Sequence, residues 1–224
     1  MRAWELHRAA AAFFMPNRCP FCGDIIGMRE FWCTRDGGIR TPCCDNLKML
    51  DDPGEIPEGL DGFAAVCAYT GRARSAVLRL KQGYYRYPAD AFAVLIVENA
   101  AELIQQADII TAIPSTRARR RELGYAQSEL MAKMVAEISR KPFRRLLKAV
   151  PKKQEQKQLD AAHRRENARG AFELALPCGV AGRNVLIIDD VCTTGATLSA
   201  AAGLIRNAGA ALVNGAVFAR TVRH

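Results

Sequence analysis

Val185-Leu186-Ile187-Ile188-Asp189-Asp190-Val191-Cys192-Thr193-Thr194-Gly195-Ala196-Thr197 is the most ordered pattern in the chain. Four aliphatic residues in a row suit a central parallel strand buried on both faces. Asp189 and Asp190 then fall at the strand's carboxyl end, where open α/β sheets bind ligands. Adjacent carboxylates there are costly unless they accept hydrogen bonds or face a cation, and the vicinal hydroxyls of a ribose are suitable donors. The segment next turns into a helix. Thr193, Thr194 and Thr197 supply hydroxyls, and Gly195 lets the backbone come close to a ligand. Amides at a helix start, with roughly half a positive charge from the macrodipole, hold a phosphate dianion. Carboxylates for a sugar followed by amides for a phosphate match a ribose 5-phosphate.

Outward from this stretch, strand and helix signals alternate. Phe63–Tyr69, Ile109–Pro114, Arg183–Asp190 and Leu212–Arg220 read as strands. Arg72–Gln82, Asp90–Gln106, Gln127–Ile138 and Leu198–Ala208 read as helices; Leu130, Met131, Met134, Val135 and Ile138 make one apolar stripe on the third. Such alternation predicts an α/β fold with a largely parallel sheet covered on both faces. The domain so defined spans 61–224. Residues 51–60, acidic and rich in Pro and Gly, read as a linker or long loop, and residues 1–50 as an opening helix followed by a cysteine module.

The composition is that of a globular chain: 224 residues, half of them hydrophobic and a quarter charged. The net charge is +9. Residues 117–169 hold sixteen Lys and Arg against six Asp and Glu, so essentially all of the excess lies there. Such a local field attracts a phosphorylated ligand or a nucleic acid backbone. Its members include Arg119, Arg120, Arg121, Lys152, Lys153, Arg164, Arg165 and Arg169. Residues 151–165 lack periodicity and read as a mobile loop of the kind that closes over phosphate pockets. Aromatic residues are sparse in the basic stretch, which favours backbone contact over base stacking. No apolar run approaches the ~18–20 residues of a membrane span.

Five of the eight cysteines cluster at Cys19, Cys22, Cys33, Cys43 and Cys44. Clustering without an apparent export signal points to a metal in a reducing, cytoplasmic setting. Cys19-Pro20-Phe21-Cys22 is the first half of a zinc knuckle, and four thiolates at ~2.3 Å would complete a structural site. Cys33 and either Cys43 or Cys44 are the remaining candidates, because adjacent side chains diverge.

The stretch Val185–Thr197 resembles the PRPP-binding motif of type I phosphoribosyltransferases. That resemblance implies that Asp189 and Asp190 bind the ribose hydroxyls and that Thr193, Thr194, Gly195, Ala196 and Thr197 bind the 5-phosphate, with Val191 and Cys192 also in the PRPP-binding stretch. It also implies a pyrophosphate loop at Ser115, Thr116 and Arg117, with Mg²⁺ bound alongside PRPP. A narrower resemblance, to the ComF family of competence proteins, covers almost the whole chain. It rests on Cys19-Pro20-Phe21-Cys22-Gly23, Ala68-Tyr69-Thr70-Gly71 with Leu78-Arg79-Leu80-Lys81, Arg121–Leu130 and Arg164–Phe172. The family usually has Asn where this chain has Ala126. The ComF resemblance implies a zinc finger with Cys44 as its last ligand, ahead of the Asp45-Asn46-Leu47 turn. It also implies a role in natural transformation, with single-stranded DNA and a helicase-like competence protein as partners. The alternative is an active phosphoribosyltransferase whose acceptor the sequence does not name. A module that senses a phosphorylated metabolite is a third possibility.

Overall fold

Four consecutive aliphatic side chains can all be buried only where both faces of their strand are covered. The computed structural model, which describes residues 16–27, 30–33, 47–82, 87–150, 170–175 and 179–222, meets that condition. In chain order the elements are β1 (Gly62–Ala68), α1 (Gly71–Lys81), α2 (Tyr87–Asn99), α3 (Ala101–Gln106), β2 (Ile109–Ala112), α4 (Arg117–Leu123), α5 (Gln127–Ser139), β3 (Leu147–Ala149), β4 (Phe172–Leu174), β5 (Asn184–Cys192), α6 (Ala196–Asn207) and β6 (Leu212–Arg220). Four strands form a sheet in the order β1-β6-β5-β2, and every neighbouring pair is parallel. β3 and β4 make a separate antiparallel pair.

Alternation along β5 feeds two cores. Leu186 and Ile188 face a cluster containing Leu80, Phe92, Met131 and Phe218, whereas Val185 and Ile187 face Leu198, Ile205, Val213 and Val217. The first is covered by α1, α2 and α5, the second by α6. A run that looks uniformly apolar in sequence thus divides between two faces with a period of two.

One expectation changes, and two stretches gain detail. The predicted helix Asp90–Gln106 is two helices, because Asn99 turns its side-chain amide back to donate to the Leu95 carbonyl and the chain leaves helical geometry at Ala100. The first of them starts early, at Tyr87, with Pro88 in its opening turn, where a missing N–H costs nothing. The basic run after Pro114 is itself helical: Thr116 caps α4 by accepting a hydrogen bond from the Arg119 amide. Residues 51–60 hold neither helix nor strand, yet they are fixed to the domain. Arg206 donates to the Gly59 carbonyl at 3.1 Å and Arg220 donates to that of Pro53. The opening helix, the lid segment 151–165 and the remaining basic motif up to Arg169 lie outside the described residues.

The described part of the cysteine module is docked on the sheet domain. Phe21, 2% exposed, meets Phe92 and Phe218 with ring centroids 6.3 Å away in each case, and those two rings stack at 3.7 Å. Arg79 on α1 donates to the Pro20 carbonyl at 2.7 Å. Removing a ring this well enclosed typically costs about 3–5 kcal/mol. Urea unfolding of Phe21→Ala should therefore show the entire transition shifted down by that amount, with the slope unchanged. An early separate transition would show instead that residues 16–33 melt on their own.

Candidate functional site

The site follows from a difference in strand length. β2 ends at Ala112, opposite Ile188, while β5 continues to Cys192. Beyond that register Asp189 and Asp190 lose their neighbour on one side, and the chain leaving β2 bends away through Ile113–Thr116. A cavity of about 250 Å³ opens between them, lined by Lys81, Ile113, Pro114, Ser115, Arg119, Gln127, Ser128, Asp189 and Asp190.

Asp189 and Asp190 are 8% and 7% exposed as residues, and each carboxylate is held differently. Asp189 Oδ1 accepts from the Ser128 hydroxyl at 2.7 Å and from the Asp190 amide at 2.9 Å. Burial, reinforced by the charge of Asp190, pushes its carboxyl up to about 7. Asp190 Oδ2 lies 2.9 Å from the Lys81 ammonium. Burial alone would lower the lysine, but Asp190, and then Asp189, hold it above its ordinary value. Lys81 sits in the last turn of α1, where the helix dipole also favours a cation.

Two contacts lock that turn in place. Tyr125 donates its hydroxyl to the Leu80 carbonyl at 2.9 Å, and Arg119 donates to the Lys81 carbonyl at 2.6 Å. Arg119 also pairs with Glu122. The neighbouring Arg120 instead joins Lys133 and Arg145 around Glu129, whose side chain is 11% exposed. This cluster binds α4, α5 and the segment entering β3 into one unit.

After β5 the chain turns at Gly195, with φ 79°, into α6. A Cβ there would stand 2.9 Å from the Pro57 side chain, so the turn is shaped for glycine by both backbone and packing. Thr194 Oγ1 accepts from the Ala196 amide at 3.4 Å. Thr193 and Thr197 are exposed, and Val191, Thr194 and Ala196 are half-buried. Cys192 is 3% exposed, and burial raises its thiol.

The structure thus brings Asp189, Asp190, Ser115 and Arg119 into one cavity. Thr193–Thr197 lie on the next turn and do not line it. Thr116 is occupied as a helix cap, and Arg117 and Arg121 are exposed. Lys152, Lys153, Arg164, Arg165 and Arg169 lie outside the described residues. Sequence reasoning assigned no role to Lys81, Gln127 or Ser128. All three sit inside the quoted segments Leu78–Lys81 and Arg121–Leu130, and that position was the available signal.

Residues 127–223 match the family model described as "Phosphoribosyl transferase domain". Over that stretch the chain is similar to phosphoribosyl transferase domains. It is 34% identical over 128 residues to DNA utilization protein YhgH of Escherichia coli (strain K12), covering 53% of this chain and 52% of that one. It is 32% identical over 104 residues to Competence protein F of Haemophilus influenzae, covering 46% and 45%. The chain therefore spans about half the length of these curated relatives. Among solved structures, a purine phosphoribosyltransferase from Pyrococcus horikoshii aligns with TM-score 0.38 and 16% identity over 59% of this chain and 83% of that one. The allosteric regulatory enzyme of purine biosynthesis aligns with TM-score 0.40 and 21% identity, over 58% and 25%.

A second cluster stands apart from the cavity. Cys19, Cys22 and Cys33 bring their sulfur atoms within 4.8 Å of one another, with Cys22 and Cys33 3.2 Å apart. Burial would raise the Cys19 thiol, but amides of Cys33, Cys22 and Phe21 directed at its sulfur hold it below its ordinary value. Converging thiols with amide donors behind them fit a soft divalent metal such as zinc. Cys43 and Cys44, the alternatives for a fourth ligand, lie outside the described residues. Among the described residues no helix is long and apolar enough to cross a membrane.

Glu129 allows a clean test of the unit that carries Arg119. Burial opposes its ionisation, but hydrogen bonds from Arg145 and Lys133 and their charges bring it from 4.5 to about 2. A carboxyl depressed in this way stabilises the fold above its unfolded value and loses that contribution as pH falls towards the folded one. Between about pH 5 and pH 2, wild-type unfolding free energy should fall by about 3 kcal/mol more than that of Glu129→Gln. Parallel pH profiles in urea titrations would refute the cluster's contribution.

Proposed function

We propose that this chain binds PRPP or a related ribose phosphate and acts in the uptake and handling of single-stranded DNA during natural transformation. One observation carries the ribose-phosphate part: two adjacent buried carboxylates at the end of a central strand face a polar cavity, immediately before a glycine turn that opens a helix. Asp189 and Asp190 accept hydrogen bonds from the ribose hydroxyls. Thr193–Thr197 surround the 5-phosphate with amides and hydroxyls. Ser115, followed by Thr116 and Arg117, approaches the diphosphate, and Arg119 adds a guanidinium on the same wall.

The DNA part rests on the basic excess in 117–169 and on the names of the relatives, DNA utilization protein YhgH and Competence protein F. Arg119, Arg120, Arg121 and the basic residues of the lid segment meet the phosphate backbone, in a cytoplasmic protein that works with a helicase-like competence partner. Zinc on Cys19, Cys22, Cys33 and Cys44 is structural, and keeps Phe21 seated in the domain core. Turnover is the second reading: Ser115 and Arg119 share the cavity with the acids, which gives a departing diphosphate a charged wall.

Calorimetric titration with PRPP should show saturable binding to the wild type. Asp189→Asn/Asp190→Asn should weaken it at least about 30-fold, near 2 kcal/mol, because neutral amides accept hydroxyl protons less strongly. Wild-type affinity should rise as pH climbs through about 7, where Asp189 ionises. Equal affinity in the double variant would remove the ribose reading. Release of pyrophosphate on addition of amines or bases would establish turnover.

Affinity for single-stranded DNA should fall steeply with salt, with log K against log [salt] sloping at about −0.7 per phosphate neutralised. Replacing Arg119, Arg120 and Arg121 together by Gln should make that slope shallower. A flat salt response would count against backbone binding.

A further inference from the structure

Magnesium is a hard cation that takes oxygen ligands at ~2.0–2.1 Å in near-octahedral geometry and gives up water reluctantly. A carboxylate oxygen already paired with an ammonium has less negative charge to offer such an ion, directly or through a water. Asp190 is so paired: its Oδ2 lies 2.9 Å from Lys81 Nζ, in the wall of the cavity itself. The other carboxylate offers less. Asp189 Oδ1 is buried and takes the Ser128 hydroxyl and the Asp190 amide. Burial and the neighbouring acid push Asp189 up to about 7, so it is only partly ionised near neutrality, and the ammonium offsets much of the charge that remains. Lys81 thus already places at Asp190 the positive charge that a divalent ion would otherwise bring.

The lysine is not a surface side chain that happened to fall nearby. Its backbone carbonyl is gripped by Arg119, and the preceding carbonyl by Tyr125. Both contacts come from the α4–α5 region, which also supplies Ser128 to the other carboxylate. The arrangement presents a fixed protein cation, 38% exposed, alongside the Arg119 guanidinium.

We propose that Lys81 takes the place of a divalent cation at Asp190, so that the site binds its phosphorylated sugar without one. This rests on the ribose-phosphate reading above. It makes Lys81 a specificity-determining residue: it excludes Mg²⁺ from the acids and contributes its own charge towards the ligand's phosphates.

Two measurements on the full zinc-loaded chain test it. The first needs no sugar. Electron paramagnetic resonance of Mn²⁺, a stand-in for Mg²⁺, should show no ion taken up by the wild type below the millimolar range. Lys81→Met should take up one Mn²⁺ at least about tenfold more tightly, and Lys81→Met/Asp190→Asn should lose it again. Uptake by the wild type that Asp190→Asn abolishes would overturn the proposal, as would a failure of Lys81→Met to take up Mn²⁺.

The second is calorimetry with PRPP, in EDTA and in excess Mg²⁺. Wild-type affinity should agree within about threefold between the two, whereas Lys81→Met should depend on Mg²⁺ by about tenfold or more. A wild type that loses tenfold or more in EDTA overturns the proposal, and this comparison stands even if Lys81→Met fails to fold. If PRPP binds in neither condition, the ribose-phosphate reading fails and the ligand half of the proposal with it, while the Mn²⁺ result still decides whether Lys81 occupies the cation position.

Discussion

Two neighbouring carboxylates at the end of a buried strand cannot both be charged without compensation, and the surroundings of the cavity are organised around that fact. Desolvation penalises each charge, and each penalises the other. The compensation comes from two distant parts of the chain. α5 sends the Ser128 hydroxyl to Asp189, and the last turn of α1 sends the Lys81 ammonium to Asp190. Neither donor would be in range unless α1 and α5 packed on the same face of the sheet. That packing is secured by Leu80, Met131 and Ile188 in one shared core. The chemistry at the strand end and the burial below it are therefore one problem with one solution.

The same logic extends outward through α4. Its seven residues include four arginines and only one buried residue, Leu123, so apolar burial does little to hold it. It is held by charge and by caps. Thr116 starts the helix, and Arg120 reaches the Glu129 cluster, which Lys133 on α5 and Arg145 in the segment entering β3 complete. A carboxylate with three cations around it is an anchor that leaves surplus positive charge at the surface. The basic excess seen in sequence is thus not a uniformly solvated face. Part of it is fastened to Glu129, part of it lines the cavity through Arg119, and Arg117 and Arg121 remain exposed.

Legibility in the sequence followed the length and regularity of the signal. β6 was readable to its end residues, and α5 and β5 within one or two, because long apolar patterns leave few alternatives. β3 and β4 escaped notice, since three residues are too few to show a period. α4 was hidden by its arginines, and the division between α2 and α3 depends on one side-chain amide returning to the backbone. In the site, the acid pair was readable because adjacency in sequence makes it adjacent in space. Ser128 is 61 residues from the carboxylate it serves, and Lys81 is farther still. A hydroxyl or an ammonium at such a distance has no local signature; only the packing of helices on the sheet shows what it does.

Pro57 adds a constraint that the acidic, Pro- and Gly-rich composition of its segment did not suggest. A chain region of that composition reads as a tether, and tethers leave the surfaces they cross free. Here Pro57 is buried against Gly195, at the turn that opens α6. The turn already needs glycine for its positive φ, and Pro57 closes off the space that a side chain would have used. A phosphate held by that turn must therefore approach from the side away from Pro57. Residues 51–60 form a wall behind the helix start, fixed by Arg206 at Gly59 and by Arg220 at Pro53. Any movement of this segment would change the packing of the glycine on which the turn is built. The turn that opens α6 is consequently tied to the chain that leads from the cysteine module, and not to the sheet alone.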